Sequence, residues 1–496
     1  MDVSIGAGLL SEAGSQVPIQ IEVYDHQGQE TISTVSIEAP DLFTGQLSLA
    51  FSGISPNEAF LFAGTLPNDL GAADGEYPLI VRGTDWGTDP NLGGILAWQV
   101  VRTRVGAPKG WARTWGAGLP DDARSVAIDT SGNAYVTGSF EGKVDFDPGS
   151  GVDYHKANGW SRYAFLSKFN PSGDFLWART WGGGGGISVG IDPLGNAYVA
   201  GIFGGTVDFD PGSGVDDHTS NGGDDAFLSK LDSSGNFLGA RTWGGADDDL
   251  AYSVAIDALG NAYVTGCFME TADFDPGSGA DEHTSNGFSD AFLSKLDPSG
   301  DFLWARTWGS VYHERAYSVA IDALGNAYVA GEFAAAVDFD PGIGVDIHTT
   351  SGNSVDAFLS KFDSSGNFTW ARTWGTAFGA SVAIDPSGNA CVAGCFYATA
   401  DLDPGSGVDN HSSNGQSDAF LSKFDSDGHF LWVRTWGAAH FDFPESVASD
   451  AWGNAYVAGG FYDAVDFDPG IGVDDHTASG NESDAFLSKF PPDGNW

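Results

Sequence analysis

SVAIDALGNAYVTGCF (Ser253–Phe268) and DAFLSKLDPSGDFLWARTWG (Asp290–Gly309) flank the acidic insertion DFDPGSGADEH (Asp273–His283). Four short runs rich in β-branched and aromatic residues are separated by turn residues, and two of the turns read D-x-x-G-[ND]. No run holds a 3.6-residue period, so strands are expected throughout and helices are not. The insertion recurs as D-[FL]-D-P-G-x-G-x-D-x-H from Asp145, Asp208, Asp273, Asp338, Asp401 and Asp466. A fixed spacing of this size marks a repeat architecture.

Each unit supplies strands a (SVAID), b (NAYVAG), c (DAFLSKFD) and d (NFLWARTWG). Four antiparallel strands per unit make one blade of a β-propeller. Six copies over residues 106–496 predict six blades. The first d pattern, Gly110–Gly116, precedes the first a strand, and the last unit has no d run of its own. Gly110–Gly116 is therefore expected to complete the sixth blade beside Asp484–Phe490 and close the ring.

The elements D-A-F-L-S-K, S-G-N and A-Y-V-[AT]-G resemble the SBBP β-propeller repeat of bacterial secreted proteins, and the a–b hairpin is similar to NHL-type blades. The resemblance covers residues 111–496. It implies fold and an extracellular or cell-surface setting, often beside immunoglobulin-like domains, and no general catalytic activity. Residues 1–105 lack the repeat. Alternating runs such as QVPIQIEVYD, TISTVSIE and YPLIVRG suggest a β-sandwich, and Gly75–Thr84 resembles the end of bacterial immunoglobulin-like modules. The expected fold is thus all-β: a six-bladed propeller preceded by an immunoglobulin-like β-sandwich. The first 15 residues have no evident partner in that sandwich and read either as a frayed terminus or as a strand that pairs with a neighbouring molecule.

The insertion could carry chemistry. Carboxylates at its positions 1, 3 and 9 are candidate ligands for calcium, a hard cation that takes six to eight oxygens. They are Asp145, Asp147 and Asp153; Asp208, Asp210 and Asp216; Asp273, Asp275 and Asp281; Asp338, Asp340 and Asp346; Asp401, Asp403 and Asp409; and Asp466, Asp468 and Asp474. The competing reading is a network of Asx turns in which these side chains accept backbone N–H groups. The histidine at position 11, from His155 to His476, has no second His or Cys at zinc spacing and reads as a packing or hydrogen-bonding residue. The arginine column (Arg113 to Arg434) and the lysine column (Lys168 to Lys489) read as structural partners of blade carboxylates and carbonyls.

The chain carries 67 acidic against 21 basic residues, a net charge of -46. Nucleic acid and anionic membranes are excluded as partners by that sign. Cys267, Cys391 and Cys395 read as small buried hydrophobes. No apolar run approaches a membrane span, and MDVSIGAGLL lacks the parts of a signal peptide, so a removed signal or a fragment is expected. No H-E-x-x-H or P-loop is present, and no enzyme is expected. The leading expectation is an extracellular structural or adhesive protein that self-associates, as a filament or cell-surface subunit with calcium loops. The alternatives are a secreted glycan- or protein-binding module and a propeller glycosidase or lyase. An unrepeated cluster of acidic and aromatic residues at the channel mouth would favour the enzyme. The acidic insertions and the variable d–a loops are expected on one face, opposite the minimal turns.

Overall fold

The computed structural model describes residues 112–157, 162–351, 355–470, 472–479 and 483–495, and the backbone of seven strands between residues 2 and 105. It divides into Met1–Trp111 and Ala112–Trp496. Every described element of regular structure is a strand or bridge.

The first unit holds β1 (Asp2–Ala7), β2 (Gln16–Tyr24), β3 (Ile32–Glu38), β4 (Leu47–Ile54), β5 (Phe60–Pro67), β6 (Gly75–Asp85) and β7 (Ile95–Val105). They run in the order β1-β2-β5-β4-β3-β6-β7. One expectation is corrected here. Asp2–Ala7 is not left for a neighbouring molecule, because it pairs antiparallel with β2 from Asp2↔Tyr24 to Ala7↔Ile19.

The second unit is the six-bladed propeller. Blades one to five each have four antiparallel strands in the order a-b-c-d. In the third these are Leu250–Ile256, Ala262–Phe268, Asp290–Leu296 and Phe302–Trp308. The a–b turn shows why the sequence folds locally. Asp257 Oδ1 accepts the N–H groups of Leu259 and Asn261, Oδ2 accepts Asn261 Nδ2 at 2.7 Å, and Gly260 takes φ +84°. Only glycine occupies that φ without strain. Strand c is buried on both faces, since blades stack on either side of it.

Each a strand carries a β-bulge at one residue: Arg124, Ile187, Tyr252, Tyr317, Ala380 and Glu445. The a strands of consecutive blades lie against one another from the first to the sixth, as expected of the innermost strands.

The basic columns bond to carbonyls, as the sequence suggested, and those carbonyls belong to the neighbouring blade. Lys168 Nζ reaches Ser233 O at 2.9 Å and Lys295 Nζ reaches Ser364 O at 2.9 Å. Arg179 Nε donates to Gly235 O at 2.8 Å and Arg372 Nε to Gly428 O at 2.7 Å. All four acceptors lie in the c–d turn of the following blade. The second tryptophan of the d strand packs across the same seam, edge-on for Trp181 and Phe227 and stacked for Trp374 and Phe424 at 5.5 Å.

The sixth blade departs from the expectation. Its sheet has three strands, Phe443–Ser449, Ala455–Phe461 and Asp484–Phe490. Gly110 and Trp111 lie outside the described residues, and Ala112–Gly116 forms no strand beside Asp484–Phe490. The sixth seam is consequently open. Val126 in the first a strand is 62% exposed where Val189 is 6% exposed, and Leu487 in the last c strand is 72% exposed where Leu421 is fully buried.

Candidate binding sites

Each acidic insertion is a hairpin along the outer edge of its blade. Its stem begins beside the d–a end, where Gly244 and Gly245 of one d strand pair with Asp273 and Ala272 of the next blade. Its tip lies with the c–d turn: Asp210–Gly214 shares a cavity with Gly235–Phe237. The insertions are thus not confined to the d–a face. They span the blade edge from one end to the other.

Within the hairpin, Asp145 Oδ1 accepts Asp147 N at 3.2 Å and Asp153 N at 2.8 Å, and Asp147 Oδ1 accepts Gly149 N at 2.7 Å. The other five copies repeat these bonds from Asp208, Asp273, Asp338, Asp401 and Asp466. A Cβ on Gly149 or Gly151 would run into the Asp147 carboxylate, which explains the paired glycines. The structure therefore brings the predicted aspartates together as Asx turns. Among the described residues no three His, Cys, Asp or Glu side chains converge as a metal site. Oδ1 of Asp145 and of Asp147 is taken up by the loop's own amides, which is the Asx-turn arrangement.

The histidine of each hairpin is held as expected. His155 Nδ1 lies 2.8 Å from Thr180 Oγ1, and the ring meets Phe146 edge-on at 5.4 Å. The same contact links His218, His283, His348 and His411 to a d-strand threonine. The Nε2 face turns to the ninth-position aspartate, at 3.2 Å for His283 and Asp281.

Three cavities lie at equivalent junctions. One of about 480 Å³ lies between blades one and two, lined by Asp153, His155, Arg179, Asp210–Gly214, Asn236 and Phe237. One of about 380 Å³ lies between blades three and four, with His283, Arg306, Asp340–Gly344, Asn367 and Phe368. One of about 340 Å³ lies between blades five and six, with Asp409, His411, Arg434 and Asn495. The repeat signalled their histidines and arginines; the turn-end asparagines were missed, because alternation within a turn stands out only once blades are paired. A fourth cavity, of about 540 Å³, lies along the free edge of the last blade between Phe467, His476 and Leu487.

Carboxylates concentrate in the d–a loops as well. Asp249 accepts Gly245 N at 2.5 Å and Met269 N at 3.2 Å, and Glu314 and Asp442 make the corresponding pairs of bonds. Burial, with Asp225 and Asp248 nearby, pushes Asp249 up to about 7, and burial beside Glu314 pushes Asp290 up to about 7. These groups order loops around backbone amides. At the bulges, Tyr252 and Tyr317 stand 5.4 Å apart, and Glu332 accepts Arg315 Nη1 at 2.7 Å and Tyr317 OH at 2.8 Å. Among the described residues this set is not repeated in the other copies. The cysteines hold no disulfide, and burial pushes Cys267 and Cys391 up to about 11 and about 12, well away from a reactive thiolate.

Comparison with known proteins agrees with the blade architecture. The family SBBP, described as Beta-propeller repeat, matches residues 111–139. The chain is 27% identical over 175 residues to an uncharacterized WD repeat-containing protein, L264, of Acanthamoeba polyphaga mimivirus, covering 32% of this chain and 13% of that protein. It is 27% identical over 281 residues to the regulatory protein FlaEY of Caulobacter vibrioides, covering 54% of this chain and 28% of that one. The chain thus spans less than a third of either relative. A solved Dos1 propeller superposes with TM-score 0.35 at 11% identity, over 70% of this chain and 68% of the other. No helix among the described residues is long and apolar enough to cross a membrane.

Proposed function

We propose that the protein is a non-catalytic, extracellular binding scaffold that holds several copies of one ligand around its propeller. The observation that carries this reading is the recurrence of one cavity, with the same histidine, arginine and loop, at three junctions. Rigid repeats that present equal pockets gain strength by multivalency, since a second contact to a polymeric ligand is intramolecular. The Tyr317–Glu332–Arg315 set supports the enzyme alternative less, because Glu332 is engaged by both neighbours. For residues 1–105 the proposal keeps an immunoglobulin-like domain on the alternating runs of the sequence. The test is a binding screen by imidazole chemical shift with glycans, peptides and small metabolites. Binders that shift His155, His283 and His411 together, with more than one molecule per chain, support the scaffold. Product formation, or one binding event away from all three histidines, overturns it.

A second reading, self-association into a filament or surface layer, is favoured by the exposed faces of the first and last blades. Val126 and Ile128 at one end and Leu487 at the other are complementary halves of a blade seam. Joined within one chain they close the ring; joined between chains they repeat head to tail without closing. Sedimentation at high concentration separates the two.

A further inference from the structure

The three cavities share one more property: among the described residues, Nη2 of their arginines makes no hydrogen bond. Arg179, Arg306 and Arg434 give Nε to the turn carbonyls of Gly235, Gly366 and Gly494 at 2.8, 2.7 and 2.6 Å. They give Nη1 to the carbonyl of the preceding residue at 2.7, 2.6 and 2.7 Å. Their Nη2 atoms have no hydrogen-bond partner among the described residues. The alternate arginines differ. Arg113, Arg241 and Arg372 give Nη2 to the turn carbonyls of Ser172, Ser299 and Asp427 at 3.4, 3.1 and 3.3 Å.

The last residue of the facing turn follows the same alternation. It is Asn236, Asn367 and Asn495 where Nη2 is free, and Asp174, Asp301 and His429 where Nη2 is bound. Each asparagine donates Nδ2 back into its own turn, to Asp232, Asp363 and Asp493 at 2.8, 2.9 and 2.8 Å. The amide oxygen remains as an acceptor beside the cavity. A junction of this kind offers unengaged guanidinium N–H groups and an amide acceptor within one concave wall, and two of the three add the carboxylate of the ninth-position aspartate, Asp153 and Asp409. Two of the three add a phenylalanine ring, Phe237 and Phe368.

That set matches a ligand whose groups each donate and accept. A carboxylate or phosphate ligand would meet one arginine against the field of a chain at -46. A neutral sugar ring answers this set: hydroxyls take up guanidinium and amide at each junction, with a carboxylate added at two and an aromatic for the ring's C–H face at two. Volumes of about 340 to 480 Å³ fall in the range of small-ligand sites.

We propose that the junctions of blades one and two, three and four, and five and six are three equivalent sites for neutral saccharide residues, selected by the turn-end asparagine. This rests on the binding-scaffold reading and names its ligand class.

The full chain is titrated with neutral oligosaccharides of gluco, galacto, manno and fuco configuration, and in parallel with uronate- and sialate-bearing glycans and with short peptides. Calorimetry gives the stoichiometry, and imidazole shifts give the place. The expected result is three neutral sugars per chain. Asn236→Asp and Asn367→Asp are each expected to remove one site; each also loses the amide bond to Asp232 or Asp363, so the melting temperature is followed alongside binding. The converse Asp301→Asn is expected to add a fourth. Sugar binding at one site per chain, or binding indifferent to these substitutions, overturns the proposal. If peptides or acidic glycans shift the three histidines and neutral sugars do not, the ligand class falls and the scaffold stands. If no probe shifts them, both fall.

Discussion

Arg113 Nε donates to the carbonyl of Gly173 at 2.7 Å, the bond that Arg434 Nε makes to Gly494 at 2.6 Å. Trp115 likewise stacks on Phe169 at 5.3 Å as Trp436 does on Phe490 at 5.2 Å. Ala112–Gly116 therefore rests against the first blade in the place of an outer strand from the blade before it. The free edge of Asp484–Phe490 is the other half of that ladder, and His476 is the one hairpin histidine of the six with no described threonine contact; Thr114 supplies the hydroxyl on closure.

Closure in solution predicts equal roles for the two tryptophans. Trp115→Ala and Trp436→Ala are each expected to cost roughly 3–5 kcal/mol, the range for a buried large aromatic. Urea unfolding measures both. A loss below about 1 kcal/mol for Trp115→Ala alone, the size of an ordinary surface substitution, leaves the last blade three-stranded.

Chelation is expected to leave the melting temperature unchanged, since the loop aspartates bond to their own amides. Asp145→Ala is expected to cost about 1–2 kcal/mol, as loss of a capping carboxylate does. A fall in melting temperature in excess chelator, restored by calcium, would reinstate the ion-cage reading.

Stability is expected to fall as pH rises from about 4 to about 7. Burial holds Asp249 and Asp290 at about 7, and Asp225 and Asp418 at about 6. Their unfolded values lie near ~3.9. Across that interval the folded chain binds more protons, so acid stabilises it, by at most about 1.4 kcal/mol per pH unit for each group. The trend reverses at lower pH. At Asp129, Asp232 and Asp363 the opposing effect of burial is outweighed by hydrogen bonds from turn asparagines and backbone, which holds these groups below the usual carboxylate range. Calorimetry should show a melting temperature higher at pH 5.5 than at pH 8, with the slope reduced in Asp249→Asn. A higher value at pH 8 contradicts the assignment.

Lys423 Nζ lies 2.8 Å from Asp385 Oδ2, both side chains nearly inaccessible, and also reaches Pro492 O at 3.2 Å. Lys423→Met strands a buried carboxylate and is expected to cost roughly 3–5 kcal/mol. Arg162→Met breaks an exposed pair with Asp122 at 3.4 Å and is expected to cost less than about 1 kcal/mol. Denaturant midpoints of the two variants check the contrast.

The blades were legible because every level of the sequence agreed. Asp257 and Gly260 dictate the turn, DAFLSKL fills a strand buried on both sides, and spacing counts the units. The partner of Asp2–Ala7 was not legible, since a short edge strand is chosen by register and not by composition. Nor were the cavities. Arg179 and Arg241 are the same letter in the same word, and what separates them is a turn in the neighbouring blade. Asp145 and Asp147 could have been cation ligands or turn formers, a choice that rests on where amide hydrogens point.

The seams between blades are fastened to main-chain atoms: Gly235, Gly300, Gly366, Gly428 and Gly494 all accept through their carbonyls. A fastening of that kind does not ask which side chains the neighbour carries. Internal units can trade places and these main-chain bonds survive, while the turn-end residue travels with its unit and carries its junction along. Permuting the order of parts therefore rewrites the pattern of pockets around the axis at almost no cost to the framework.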